Sequence, residues 1–106
     1  MKPHALIVDD SLTVRMDLRV VLHEAGFYVT ACDSRAAAQK ALRTRAYAVV
    51  ILDILLPDGS GIDLLKEIRS EPELVNLPVI MLSSEAEVKH RIRGLTTGAD
   101  EYVGKP

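Results

Sequence analysis

Short apolar runs alternate along this chain with longer stretches whose apolar residues recur at helical spacing, and no other feature limits the fold as strongly. The runs are Ala5 to Val8, Phe27 to Ala31, Val49 to Leu52, Pro78 to Leu82 and Glu101 to Val103. Several are apolar without alternation, as strands covered on both faces must be. Between them, Val14, Leu18, Val21, Leu22 and Ala25 form one helical stripe, and Val88, Ile92, Leu95 and Ala99 another. These stripes read as core contacts. Alternating strands and helices predict βαβ units around a parallel sheet, an α/β fold.

The punctuation agrees with those boundaries. Gly26 suits the left-handed position that closes a helix, and Ser84-Glu85-Ala86-Glu87 forms a capping box that opens the helix before His90, which Gly98 closes. Residues 36 to 46 read as an alanine-rich second helix. Ile62 to Arg69 read as a third, ended by Pro72, while Pro78 sits at a strand start, where a missing N–H costs least. The expectation is one domain, residues 1–106, with five strands and four helices. Both faces of a doubly wound sheet need helices, so a final fifth helix is expected after Pro106. Either the chain is a C-terminally truncated piece of a longer protein, or a partner supplies that cover.

Composition narrows the function. With 13 Lys+Arg against 15 Asp+Glu, the net charge is −2. The arginines are dispersed, so no basic stripe suggests direct nucleic-acid binding by this domain. Hydrophobic residues at 48% and charged residues at 26% describe a globular chain, not a disordered one. Cys32 has no disulfide partner, and His4, His23 and His90 lack zinc-ligand spacing. The N-terminal apolar run is stopped by Asp9-Asp10, too short for a signal peptide or a membrane span, so no membrane association and a cytoplasmic location are expected.

The end of each strand that carries polar groups is informative. Strand one ends in Asp9-Asp10, strand three in Asp53, strand four in Ser83-Ser84 and strand five in Lys105. All are C-terminal ends, where open α/β sheets bind ligands at the reversal of winding. With the strand order 2-1-3-4-5, that reversal lies between strands one and three and gathers Asp9, Asp10 and Asp53. Carboxylates that close repel one another, and a cation is the simplest relief. Hard oxygen ligands suit Mg²⁺. A carboxylate, a divalent metal, a lysine and a hydroxyl are parts suited to receiving a phosphoryl group. Asp53, between the acid pair and the Ser83/Lys105 side, is the natural acceptor.

Singly, each residue has an ordinary reading. Asp10 or Ser11 caps a helix, Asp53 precedes the turn-like Pro57-Asp58-Gly59-Ser60-Gly61, Ser83 is a strand-end hydroxyl and Lys105 a surface lysine. Four strand ends delivering charge or hydroxyl to one edge of a sheet carry the functional reading.

Over essentially its whole length the sequence resembles the receiver domain of bacterial two-component response regulators. The motifs are Leu6-Ile7-Val8-Asp9-Asp10-Ser11, Val50-Ile51-Leu52-Asp53 with Leu56-Pro57-Asp58-Gly59-Ser60-Gly61, Pro78 to Ser83, and Gly98 to Pro106. The resemblance implies a flavodoxin-like receiver fold and a phosphoacceptor domain that is not an enzyme acting on a separate substrate. Asp53 would take a phosphoryl group from a phosphohistidine on a sensor histidine kinase or phosphotransfer protein. Asp10 and Asp53 would ligate Mg²⁺ directly, Asp9 through water, and the Leu55 backbone carbonyl would complete the protein's share. Lys105 would contact the phosphoryl oxygens and Ser83 would hydrogen-bond one of them. The family's switch pairs a strand-four hydroxyl with a strand-five aromatic, which match Ser83 and Tyr102 here. A hydrogen bond that forms only in the phosphorylated state can shift a two-state equilibrium and so control an output domain or partner. The likeness also implies a cis Lys105-Pro106 bond and a homodimer through the helix four and strand five face.

Leu55 is apolar where many members carry a polar residue, Glu85 lies two after Ser83, and Gly59 stands where many have a bulkier residue. The expectation is that Leu55 hinders an attacking water and lengthens the life of the acyl phosphate. Among rival readings, an aspartyl-phosphate phosphatase needs a second Asp where Leu55 stands. A nucleotide or flavin domain needs a phosphate cradle where Asp9-Asp10 stand. A receiver-like interaction module that is never phosphorylated is the remaining alternative, and the complete Asp/Asp/Asp/Ser/Lys set speaks against it.

Overall fold

The computed structural model describes residues 2–83 and 100–104, with backbone alone at Ser83, Glu101, Tyr102 and Gly104. Its strands are β1 (His4–Val8), β2 (Tyr28–Cys32), β3 (Val49–Asp53), β4 (Leu55–Leu56), β5 (Gly59–Ser60), β6 (Val79–Ser83) and β7 (Glu101–Gly104). The five-stranded sheet has the order β2-β1-β3-β6-β7, and every pairing in it is parallel. The two-residue strands β4 and β5 form a separate antiparallel ribbon, so the expected order 2-1-3-4-5 holds for the sheet. The reversal of winding falls between β1 and β3, with Val8 in register with Leu52.

Three described helices cover the sheet: α1 (Leu12–Glu24), α2 (Arg35–Leu42) and α3 (Gly61–Ser70). Each begins at a serine whose hydroxyl accepts an early backbone N–H: Ser11 from Val14, Ser34 from Ala37, Ser60 from Ile62. At the end of α1, Gly26 adopts φ 95° and its N–H reaches the His23 carbonyl, while the Phe27 N–H reaches that of Leu22. This is a Schellman closure, and it consumes Phe27. That is why β2 starts at Tyr28, one residue later than the apolar run suggests. The alanine-rich stretch also ends early, at Leu42 and not at Ala46. There the N–H groups of Arg43 and Thr44 turn to carbonyls three residues back, and the Thr44 hydroxyl takes the Ala41 carbonyl, so the last turn tightens and stops. α3 stops because Pro72 holds Glu71 extended, at ψ 123°.

The core lies on the α2/α3 side. Leu6, Val8, Val50, Leu52, Val79 and Met81 from the sheet pack with Ala38 of α2 and with Ile62, Leu64, Leu65 and Ile68 of α3. Ala5, Ile7 and Ile51, at the alternate positions, are buried too. The α1 stripe is narrower than its sequence suggests: no residue of α1 is fully buried, and Val21 is 60% exposed. Val14, Leu18 and Leu22, spaced by four, form the half-buried line. Val21 and Ala25 sit one step around the helix and face out. The expected helix after strand four, its capping box, Glu85, Gly98 and the Lys105-Pro106 bond lie outside the described residues.

Candidate functional site: an acidic pocket at the carboxyl ends of β1 and β3

β1 hands the chain to α1 through two acids. The Asp9 N–H still continues the ladder, donating to the Cys32 carbonyl at 3.0 Å, so Asp9 is fully buried beside β2 and β3. Its Oδ1 accepts the Ser11 N–H at 2.8 Å, turning the backbone into the Ser11 cap. Asp10, between them, is exposed. Asp53 ends β3 and is 2% exposed, and its Oδ1 accepts the Leu55 N–H at 3.3 Å. Since Val8 pairs with Leu52, the next residues of both strands meet at the same level. One carboxylate oxygen from each of Asp9, Asp10 and Asp53 lies within 4.8 Å of the others.

Two of these three carboxylates are buried, and buried charge of one sign requires compensation. Three hard oxygens on one small locus fit a divalent cation of the Mg²⁺ type, which takes one or two carboxylates and keeps several waters. Asp10, being exposed, leaves the solvent side open for those waters. Arg15 braces the turn from α1, its Nη1 donating to the Asp9 carbonyl at 2.8 Å. Burial, and secondarily Asp33, push the Cys32 thiol above its ordinary pKa, so it adds no charge beside the acids at neutral pH.

The floor under Asp53 depends on a glycine. A Cβ at Gly61 would lie 1.9 Å from the Asp53 carbonyl oxygen, so only glycine lets the start of α3 approach the end of β3 this closely. The Gly61 N–H donates to the Ile54 carbonyl at 2.6 Å and closes the loop between them. Leu55 sits inside that loop and is 52% exposed.

Of the residues expected at the site, Asp9, Asp10 and Asp53 converge and Leu55 adjoins them. Ser83 follows Leu82, the partner of Asp53 across β3 and β6, so its backbone lies on the same sheet edge. Tyr102 pairs with Met81, and Gly104 with Ser83. The side chains of Ser83 and Tyr102, and all of Lys105, lie outside the described residues.

Reading the sequence as a turn missed Asp58. Its Oδ1 accepts the Arg35 N–H at 2.7 Å and its Oδ2 the Ala36 N–H at 2.9 Å. Those bonds, from Ala36 and then Arg35, hold its carboxyl below the usual carboxylate range. The one available signal was that the first turn of α2 carries no acid of its own, leaving its donors to be met from elsewhere.

Known proteins share this sequence pattern and this fold. The family model for the response regulator receiver domain matches residues 5–106. The chain is 41% identical, over its full length, to the phosphate regulon transcriptional regulatory protein PhoB of Rhizobium meliloti, covering 47% of that protein. It is 40% identical to the transcriptional regulatory protein GltR of Pseudomonas aeruginosa over 95% of the chain and 42% of that protein. The chain thus spans less than half the length of these curated relatives. Among solved structures, the chemotaxis response regulator CheY4 of Vibrio cholerae superposes with a TM-score of 0.92 at 25% identity, over all of this chain and 88% of that one.

Proposed function

The chain belongs to the response regulator receiver domain family, whose members are phosphoacceptor signalling domains, and from that premise we propose that Asp53 is the residue phosphorylated. The observation that carries this assignment is the burial of Asp53 at the end of a central strand, within 4.8 Å of two further carboxylates. Asp10 and Asp53 would hold Mg²⁺ directly, with Asp9 acting through water and the Leu55 backbone carbonyl completing the protein's share. A cation bound there would supply charge neutralisation at the phosphoryl oxygens.

The donor is a phosphohistidine on a sensor kinase or phosphotransfer protein. An Asp53 carboxylate oxygen attacks the phosphorus in line, the P–O bond forms as the P–N bond breaks, and the histidine ring leaves with the electron pair. The Leu55 N–H orients the attacking carboxylate by fixing Asp53 Oδ1. Lys105 contacts the transferred group, and Ser83 with Tyr102 carries the change toward an output domain or partner. The domain's role is regulatory. Residues 1–106 form the receiver unit, and no described helix is long and apolar enough to cross a membrane.

Incubation with a small phosphodonor and Mg²⁺ should add one phosphoryl group by intact mass, and Asp53→Asn should add none. An unmodified wild-type chain, or equal modification of the Asn variant, refutes the assignment.

A further inference from the structure

The loop that leaves Asp53 is fastened at its far end to a helix that contributes nothing directly to the acids. Asp58 accepts the Arg35 and Ala36 N–H groups with its two carboxylate oxygens, at 2.7 and 2.9 Å. α2 does not need this loop to begin, because Ser34 already takes the Ala37 N–H at 3.2 Å. The two caps share the orphan donors of the first turn, one from within the helix's own segment and one from the phosphoacceptor loop.

Arg35 then turns back over the same loop. Its Nη1 lies 3.2 Å from the point where a Cβ on Gly59 would stand, so the small residue at 59 gives the guanidinium its seat. Its Nη2 pairs with Glu67 of α3 at 3.1 Å, and Gln39 donates to the same carboxylate at 2.9 Å. Loop, α2 and α3 are therefore clasped together around residues 58 and 59. Only four residues separate Asp53 from Asp58, and the ribbon pairing of Leu55 with Ser60 and Leu56 with Gly59 stiffens them. Pro57 fixes one further backbone angle. A displacement at Asp58 has little slack in which to dissipate before it reaches Leu55.

We propose that Asp58 is a positioning residue for the phosphorylation site: by capping α2 from inside the acceptor loop, it sets the Leu55 backbone that orients Asp53 and faces the divalent cation. The proposal rests on the phosphoacceptor reading above. It acts through Leu55, whose N–H already holds Asp53 Oδ1.

The test is Mg²⁺ affinity of the full chain by calorimetry, together with hydrogen exchange at the Leu55 amide. Asp58→Ala should weaken Mg²⁺ binding about tenfold, at the lower end of what outer partners of metal ligands contribute, and speed exchange at Leu55. Asp58→Asn, which keeps a single acceptor, should fall between, and it carries the comparison if the alanine variant does not fold. Ser34→Ala removes the other cap of α2, and Asp63→Asn removes an exposed acid from the first turn of α3. Both should bind Mg²⁺ within twofold of wild type. Unchanged affinity in both Asp58 variants overturns the proposal, as does an equal loss in Ser34→Ala or Asp63→Asn, which would trace the effect to helix stability or net charge. A wild type that takes up phosphoryl while the Asp58 variants bind Mg²⁺ normally removes this inference alone. A wild type that binds no Mg²⁺ removes the underlying reading as well.

Discussion

A single methyl group at position 61 is the sharpest probe of how this site is built. An added Cβ would meet the Asp53 carbonyl oxygen at 1.9 Å and its carbon at 2.9 Å, and both belong to the backbone of a central strand. No rotamer change relieves that contact, so Gly61→Ala must push α3 away from the end of β3. The expected cost is about 1–3 kcal/mol, as for other overpacked sites, read as a lower urea midpoint, and the Asp53 carboxylate should shift with its strand end. An unchanged midpoint would show that the loop yields more easily than its bonds suggest. Individual residues were legible in the sequence where their chemistry was carried by strand position alone. Asp9, Asp10 and Asp53 were placed together because charges at strand ends on one edge can be located from topology. Gly61 and Asp58 were not, because each owes its role to an atom the local sequence does not reveal: a carbonyl eight residues away for one, and amides more than twenty residues away for the other.

Helices of similar apolar content behave differently here, which helix-period reading cannot see. α3 buries Ile62, Leu64, Leu65 and Ile68 in the core, whereas α1 buries none of its residues completely. Leu65→Ala should therefore cost about 2–5 kcal/mol, the range for a large-to-small change in a closed core, while Val21→Ala should stay within about 0.5 kcal/mol. Chemical denaturation of the two variants beside wild type checks both, and equal losses would contradict the burial difference. The central strands were legible because fully covered parallel strands have no alternation to misread, and their order followed from the doubly wound arrangement such strands adopt. The element edges were not. β2 slipped by one residue because the closure of α1 consumed Phe27, and α2 stopped short because a threonine hydroxyl competed for the last carbonyls. Both are hydrogen-bonding events between neighbours in space, and hydrophobic periodicity does not record them.

The arrangement of the whole sheet sets a conflict that metal should resolve. Parallel winding that reverses between β1 and β3 brings Asp9, Asp10 and Asp53 to one point, so the fold itself assembles charges that repel. That repulsion works against the native state to whatever extent neighbouring groups or a bound cation do not offset it. With a cation bound, the native state acquires a ligand that the unfolded chain cannot hold in the same geometry. At a Mg²⁺ concentration near 100 times the dissociation constant, linkage gives about 2.7 kcal/mol of added stability, and at this size each kcal/mol raises the melting temperature by about 4–8 °C. Asp10→Asn removes one charge from the exposed side of the cluster. In EDTA it should be as stable as wild type or more so, by no more than about 1 kcal/mol once solvent and salt screen the repulsion. In Mg²⁺ the order should reverse, because the variant would lack a carboxylate proposed as a direct ligand and so gain little. Melting curves for both proteins with EDTA and with saturating Mg²⁺ decide the matter. If Mg²⁺ leaves the wild-type curve in place, or raises that of Asp10→Asn equally, the three carboxylates do not act as one cation site, and the convergence produced by the sheet would have no bearing on phosphoryl transfer.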